Sequence, residues 1–426
     1  MSQHYHLIGV GIGPFHLSLA ALLDKVKDHE VKFFDQKPHF QWHPELLFND
    51  ADMQTSYLKD LVTAVDPTSP HSFLNYLVQN GLFYTFMNTN RKVITRCEFE
   101  LYCQWVSKNI RGPLAFNSSV QDIEFVDNKF VVTTNGETHT STHLSIATGL
   151  TPRIPEFSKP FLGTSVFHAK SPLLMSQDFT NKKVLIIGGG QTGVEIFRNG
   201  IQGKWGKPAE IKLFSRRQNL EPLDESPFTN EYFNPKYVEQ FFAIDHKEKA
   251  GIVQSQKLAS DGNTPQYLEL LYNDLYRLNH IEKNTQLAKI LPKRTLIGIE
   301  KNAAGGYKAI FDNSFLYEKE SFDADIIILS TGFVSTLPPV LNKIKHLLEL
   351  DTEQRFKLDR SFRVKWKGPA ENKIYALNFS RHLHGIAEPQ TSLMAWRSAT
   401  IINDLMDKEI YKPQEVVPTF IQYGRE

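Results

Sequence analysis

Cysteine is almost missing from this chain, and what its two copies fail to form is informative. Cys97 and Cys103 are the only two among 426 residues. They make no C-x-x-C redox turn and no Cys/His cluster with zinc spacing, so neither a dithiol catalyst nor a metal site is expected. Two reduced thiols in a cytoplasmic protein are the plain reading. Long hydrophobic runs are missing too: no stretch of about 18 apolar residues offers a membrane span. The opening MSQHYHLIGVGIGPF has no basic n-region, so no secretory leader is predicted. Charge of one sign is not in excess, the net charge being +1, which argues against a nucleic-acid partner.

What is present is glycine in two related settings. Tyr5-His6-Leu7-Ile8 reads as a short strand, followed at once by Gly9-Val10-Gly11-Ile12-Gly13-Pro14 and then by an apolar, helix-like run from Phe15 to Leu23. Strand, glycine turn and helix open a dinucleotide-binding unit, in which the backbone approaches a pyrophosphate at the positive end of the helix. The next strand, Val31-Lys32-Phe33-Phe34, ends at Asp35. That acid stands ~20–25 residues beyond the glycines, where a carboxylate accepts hydrogen bonds from ribose hydroxyls.

The pattern recurs. Val184-Leu185-Ile186-Ile187 precedes Gly188-Gly189-Gly190-Gln191-Thr192-Gly193, a complete G-x-G-x-x-G. The following strand, Ile211 to Phe214, ends in Ser215-Arg216-Arg217. A hydroxyl plus a guanidinium suits a 2′-phosphate; the alternative is a solvated basic turn. The acidic ending favours FAD and the basic one NADPH. Two apolar strands, Leu144–Ile146 and Ile327–Leu329, lead into Thr148-Gly149 and Thr331-Gly332. Such turns mark crossings between nucleotide domains in two-dinucleotide flavoproteins.

The expected fold class is therefore α/β, with two Rossmann-like dinucleotide-binding domains and a small, mainly helical insertion. Residues 1–170 plus 331–426 are assigned to an FAD-binding domain, 171–235 plus 286–330 to an NADPH-binding domain, and 236–285 to a helical substrate-binding cap.

Several long strings resemble a known family: GVGIGPFHLSLAAL, FFDQKPHFQWHPELL, MQTSYLKDLV, SDGNTPQYL and HGIAEPQTSLMAWRSA. They are similar to the flavin-dependent N-hydroxylating monooxygenases of siderophore biosynthesis, and within them to the lysine N6-hydroxylase branch. The resemblance runs over nearly the whole chain and implies FAD, NADPH, dioxygen, a small-molecule amine substrate and a homo-oligomer, tetramer or dimer. It places Gly9, Gly11, Gly13, Pro14 and Asp35 at the FAD pyrophosphate and ribose, Trp42 and His43 beside the flavin, and Gln54 near ring and substrate. It places Gly188, Gly190, Gln191, Gly193, Ser215 and Arg216 at NADPH. Lys59 matches a lysine that pairs with a substrate carboxylate, Asn230 an asparagine that contacts substrate, and Ser392 lies near an amine-binding serine. His16 departs from the family pattern, which has asparagine there. The SPFTNEYF segment looks closer to ornithine-type members, so the amine stays open among lysine, putrescine or cadaverine, ornithine and histamine.

The chemistry implied is transfer of hydride from NADPH to flavin, formation of a C4a-hydroperoxide, and attack by the amine on its distal oxygen. A primary amine with a pKa of about 10.4 is mostly ammonium in water, so the site must favour the neutral form and exclude water. No metal and no acid–base residue is required, because the cofactor carries the hard step. His43 and His384 are read as structural. Lys59, Asn230 and Ser392 have plainer alternatives as a surface lysine, a turn cap and a helix cap. A disulfide reductase lacks its dithiol here. A Baeyer–Villiger enzyme carries F-x-G-x-x-x-H, and here Phe161-Leu162-Gly163 is followed by His168, one residue too late. A nucleotide sensor or a non-hydroxylating reductase is the remaining different class.

Overall fold

The computed structural model describes residues 3–27, 29–303, 305–412 and 420–423. The chain opens with β1 (His4–Val10), α1 (Pro14–Leu23) and β2 (Val31–Phe34). Helices α2 (Phe73–Gln79), α3 (Phe83–Met87) and α4 (Arg96–Asn109) follow, then strands β3 (Leu114–Ala115), β4 (Val120–Val126), β5 (Lys129–Thr134) and β6 (Glu137–Ile146). Short strands β7 (Thr151–Pro152) and β8 (Val166–His168) lead into β9 (Lys183–Ile187), α5 (Gln191–Ile201) and β10 (Glu210–Ser215). A helical run holds α6 (Pro235–Ala243), α7 (His246–Ser255), α8 (Leu258–Asp261) and α9 (Pro265–Tyr276). Strands β11 (Ala288–Pro292), β12 (Arg294–Lys301), β13 (Tyr307–Asn313), β14 (Glu318–Ala324), β15 (Ile326–Leu329) and β16 (Phe333–Val334) come next. The last elements are β17 (Ile374–Ala376), α10 (Arg381–His384) and α11 (Met394–Leu405).

The fold is α/β with two Rossmann-like sheets. In the first, β1 lies between β2 and β6, parallel to both; β3 and β17 extend it in parallel, while β5 and β4 add antiparallel edges. The second sheet has the order β11-β10-β9-β15-β8 and is parallel throughout. Its middle strands are continuous apolar runs because both faces are covered: Val184 to Ile187 and Ile326 to Leu329 are all buried. The second sheet takes in Val166–His168 at its edge. A strand of three residues has too little pattern to declare its sheet in advance. A separate antiparallel sheet, β12-β13-β14, covers one face, with Phe311 stacked on Phe214 at 4.0 Å between ring centroids.

Two attachments position the second sheet against the first. The crossings after Gly149 and Gly332 lie side by side, because β7 and β16 pair antiparallel and Thr151 and Thr336 share a hydroxyl hydrogen bond of 2.7 Å. The other attachment is ionic. Arg198 on α5 donates from Nη1 to Asp50 at 2.6 Å and from Nε to Asp274 of α9 at 2.8 Å, while the Tyr267 hydroxyl donates to Asp50 at 3.0 Å. Removing the guanidinium leaves two carboxylates facing each other in a mostly buried place. Arg198→Met should cost about 2–4 kcal/mol in denaturant unfolding, against under 1 kcal/mol for the exposed pair of Lys159 and Glu156; equal small losses would refute the clamp.

Candidate functional site

Both glycine turns are built as anion cradles. Gly11 has φ +91°, and a Cβ there would lie 2.6 Å from the carbonyl oxygen of Ala147. Gly9 passes so close to Phe33 that a Cβ would meet the ring at 2.1 Å. Gly13 caps α1 from open space, with Pro14 at the first helical position. No side chain caps α1, and its first turn holds no acid; α2, α4, α6 and α7 carry Ser72, Thr95, Asn234 and Asp245 as caps. The second turn repeats the design. Gly188 has φ +132° and would collide with the Ser330 carbonyl oxygen, while Gly193 would collide with that of Gly188. Gly190 opens α5 with empty space before it, and α5 also has no side-chain cap and no acid in its first turn. Unsatisfied amides at the end of a helix favour a phosphate. The residues fit two dinucleotides.

The second-strand endings separate. Asp35 is buried and turned back on the first turn: it accepts from the Ile12 amide at 2.6 Å and the Lys37 amide at 2.9 Å, with Lys37 Nζ at 3.4 Å. At Ser215-Arg216-Arg217 the three side chains differ. Ser215 is buried, its hydroxyl accepting from the Arg217 amide at 3.2 Å. Arg217 is held by the Asp261 carbonyl and lies near Glu221. Arg216 is exposed and makes no ion pair within 4.0 Å among the described residues.

Gln54, Gln191 and the C-terminal segment converge on residues 260–264. Gln191 donates to Glu195 at 2.8 Å and accepts from the Thr264 amide at 2.8 Å, so its amide group is engaged by the protein itself. Gln54 reaches the Thr264 hydroxyl at 3.4 Å. Asn263, fully buried, donates to the carbonyls of Gly189 and Glu221, both at 3.1 Å. Arg381 bonds Ser260 at 3.0 Å and pairs with Asp261, and Gln390 reaches the Ser260 carbonyl at 3.4 Å. Sequence reading marked SDGNTPQYL only as a string and missed Asn263, Arg381 and Gln390. The signal was there: a Gly-Asn pair between polar residues marks a backbone turn with a side chain free to bridge.

Of the expected amine-site residues, Lys59 is half-buried and makes no ion pair within 4.0 Å among the described residues. Burial lowers its pKa, and Glu231 acts in the opposite sense. Asn230 is exposed on a short 3-10 turn, its amide only 3.5 Å from the Glu225 carbonyl. Ser392 is buried with a hydroxyl that has no hydrogen-bond partner among the described residues. Trp42 sits edge-on to Phe99, and its amide donates to Glu100 at 2.8 Å. His43 adopts φ +53°, beside Trp42 and Phe333. Burial pushes its pKa down to about 3, with Lys170, Arg96 and Lys37 adding to the effect, so the ring is neutral. His384, stacked on Phe362 at 4.3 Å, is likewise pushed to about 3, chiefly by burial. The thiols of Cys97 and Cys103 are free and both are raised by burial, opposite to what a reactive dithiol needs.

Both ring nitrogens of His16 are engaged by the protein. Its ring is fully buried, with Nδ1 at 2.6 Å from the Gly11 carbonyl oxygen and Nε2 at 2.7 Å from the Ser145 hydroxyl. A carbonyl only accepts, so Nδ1 carries the proton and Nε2 accepts from Ser145. The neutral ring thus ties the glycine turn to β6.

The sequence profile of the L-lysine 6-monooxygenase/L-ornithine 5-monooxygenase family matches residues 3–335. The chain belongs to this family. It is 37% identical over 425 residues to the L-lysine N6-monooxygenase of Escherichia coli, covering 99% of each chain. A putrescine N-hydroxylase of Acinetobacter baumannii is 27% identical over 433 residues, 98% of this chain and 95% of that one. The crystal structure of a FAD-bound cadaverine monooxygenase from Erwinia amylovora matches with a TM-score of 0.91 over 100% of both chains; at 24% identity that likeness shows the fold. The protein is a flavin-dependent N-hydroxylating monooxygenase that uses FAD and NADPH. No helix among the described residues is long and apolar enough to cross a membrane.

Burial lowers the His16 pKa from its ordinary 6.5 to about 4. Between those values the unfolded chain takes up a proton that the folded ring refuses, so stability is lost as pH falls from 6.5 to 4. His16→Asn should remove roughly 3 kcal/mol of that fall, seen as a flatter plot of Tm against pH over this window; parallel plots for parent and variant would contradict the assignment.

Proposed function

We propose that this enzyme hydroxylates the terminal amine nitrogen of L-lysine, giving a hydroxylamine for a hydroxamate siderophore. The observation that carries the reading is Lys59, a half-buried cation without an ion-pair partner within 4.0 Å among the described residues. A buried charge is costly until paired, and a substrate carboxylate supplies the pair where a diamine does not. The 37% identity to a lysine N6-monooxygenase supports the same choice.

In this reading Gly9, Gly11, Gly13 and Pro14 cradle the FAD pyrophosphate and Asp35 takes ribose hydroxyls, with Trp42, His43 and Gln54 along the ring. Gly188, Gly190, Gly193 and Gln191 form the NADPH end of α5, Arg216 grips the 2′-phosphate and Ser215 shapes its turn. Lys59 and Asn230 hold the amino-acid head and Ser392 the amine. The residues outside 166–330 form the FAD domain, and 236–285 form the substrate cap within the NADPH domain. The protein acts in the cytoplasm, in keeping with its two free thiols. It assembles as a homo-oligomer, for which the exposed Phe315, Leu316 and Tyr317 at a hairpin tip offer apolar surface.

FAD, when bound and reduced by NADPH, supplies the activated oxygen. This chain's own task is to present an amine with its lone pair free. An ammonium must lose its proton to react, and low polarity favours the neutral form. The unpartnered Ser392 hydroxyl accepts an N–H from that neutral amine without stabilising a full positive charge as a carboxylate does. The neutral rings of His43 and His384 add no competing charge.

The test is a panel of lysine, ornithine, putrescine, cadaverine and histamine, scored as hydroxylamine formed per NADPH consumed. Lysine should give the highest ratio and kcat/KM; a diamine in first place would displace the lysine reading. Arg216→Ala should lower kcat/KM for NADPH by roughly 10- to 100-fold and leave the NADH value nearly unchanged. An equal loss with both coenzymes would remove the 2′-phosphate role.

A further inference from the structure

We propose that Lys170 binds the nicotinamide half of the coenzyme through its phosphate, a cationic contact at the far end of the coenzyme from Arg216. The inference rests on the reading of the second glycine turn and of Arg216 given above. In the order β11-β10-β9-β15-β8, the strand that leads into the glycine turn, β9, stands in the middle. On one side lies β10, which ends in the basic turn Ser215-Arg216-Arg217; on the other lie β15 and β8. A dinucleotide lies across such a switch point with one half on each side. With the 2′-phosphate and its adenosine over β10, the nicotinamide half falls over the ends of β15 and β8.

Lys170 stands at that end. Ile187, Leu329 and His168 pair in one row across β9, β15 and β8, so the residues that follow His168 are level with Gly188. Two strand spacings separate them, about 10 Å. His168 fixes the way the chain leaves the sheet. Its Nδ1 accepts from the Lys170 amide at 3.1 Å, so Nε2 carries the proton and donates to the Gly332 carbonyl at 3.1 Å. Lys170 is thereby tied to the crossing turn that runs into β16.

Its side chain faces the flavin fold. The ammonium lies 5.6 Å from the centroid of Phe333, whose ring is 5.3 Å from His168 and 6.2 Å from His43. Trp42 comes next, 5.5 Å from His43. Where Trp42 and His43 run along the flavin, the cation stands between the two nucleotides. Lys170 is half-buried and makes no ion pair within 4.0 Å among the described residues. Burial lowers its pKa, and Glu45 opposes that shift without closing to a pair. The His43 ring is neutral and brings no counter-charge. A half-buried ammonium among rings is costly until an anion meets it, and phosphate is the anion that this edge of the sheet receives.

Two ligands locate the contact. NADP+ carries both halves of the coenzyme, whereas 2′,5′-ADP keeps the adenosine and its 2′-phosphate and lacks the nicotinamide nucleotide. Both are titrated calorimetrically into oxidised, FAD-loaded enzyme, so that binding is read without turnover. Lys170→Met should weaken NADP+ by roughly 10- to 100-fold and leave 2′,5′-ADP at its parent affinity, which also shows that the variant is folded. Lys170→Arg, which keeps the charge, should recover part of the loss. Arg216→Ala should weaken both ligands. If Lys170→Met leaves NADP+ unchanged, or weakens the two ligands alike, the inference is overturned. An Arg216→Ala variant that binds both ligands as the parent does overturns the reading of the basic turn; unchanged NADP+ binding by Lys170→Met beside a weakened Arg216→Ala overturns this inference alone.

Discussion

The site depends on one short stretch of backbone being held from four sides. Residues 260–264 receive Gln54 from the first nucleotide fold, Gln191 and Gly189 from the second glycine turn, Arg217 from the basic turn, and Arg381 and Gln390 from the C-terminal segment. Asn263 is the pin, since its buried amide donates to two carbonyls that belong to different loops. A loop in this position would otherwise bury unsatisfied backbone groups. With those groups bonded across segments, residues 260–264 and the loops around them become a single connected piece. Residues far apart in the chain then keep fixed distances, which an amine and two nucleotides sharing one site require.

Charge is handled consistently around that stretch. Three buried histidines, His16, His43 and His384, are kept neutral by burial. Two buried carboxylates are saturated, Asp60 by three amides and a hydroxyl, Glu195 by Arg96 and Gln191. Among the described residues, Arg216 and Lys59 have no ion-pair partner within 4.0 Å and the Ser392 hydroxyl has no hydrogen-bond partner. Satisfied groups build the scaffold and leave the unsatisfied ones as the candidates for a ligand to complete.

Much of this was legible beforehand for a physical reason. A parallel strand covered on both faces must be apolar throughout, and a backbone that approaches phosphate must lack side chains, so Val184–Ile187 and both glycine turns show in the letters themselves. The acid at Asp35 and the guanidinium at Arg216 follow from strand ends, whose positions period and spacing give. Contacts across the fold leave no such trace. Nothing local tells that His16 points back to Gly11 and Ser145, that Ser215 is buried behind Gly189, or that Val166–His168 joins the second sheet. Gln191 stands at a fingerprint position, yet its amide is taken by Thr264 and Glu195, a partner 73 residues away and one a helical turn away. Only the assembled fold decides which polar side chains are spent on structure.

The attachments between the two folds limit how they can move. The paired crossings β7 and β16 fix one edge. Away from it, Arg198 joins Asp50 and Asp274, and Arg96 on α4 meets Glu195 on α5 through both guanidinium nitrogens at 2.9 Å. Glu195 is completely buried, and burial raises its pKa despite the arginine. Rotating the second sheet about the crossings would pull Arg96 from a carboxylate that water cannot reach. Breaking such a pair costs about 3–5 kcal/mol, equivalent to a population shift of two to four orders of magnitude at ~1.4 kcal/mol per tenfold. The described arrangement is therefore held by charge at one side and by backbone pairing at the other, and a nucleotide arriving at α5 meets a helix whose first turns are already fixed against the flavin fold.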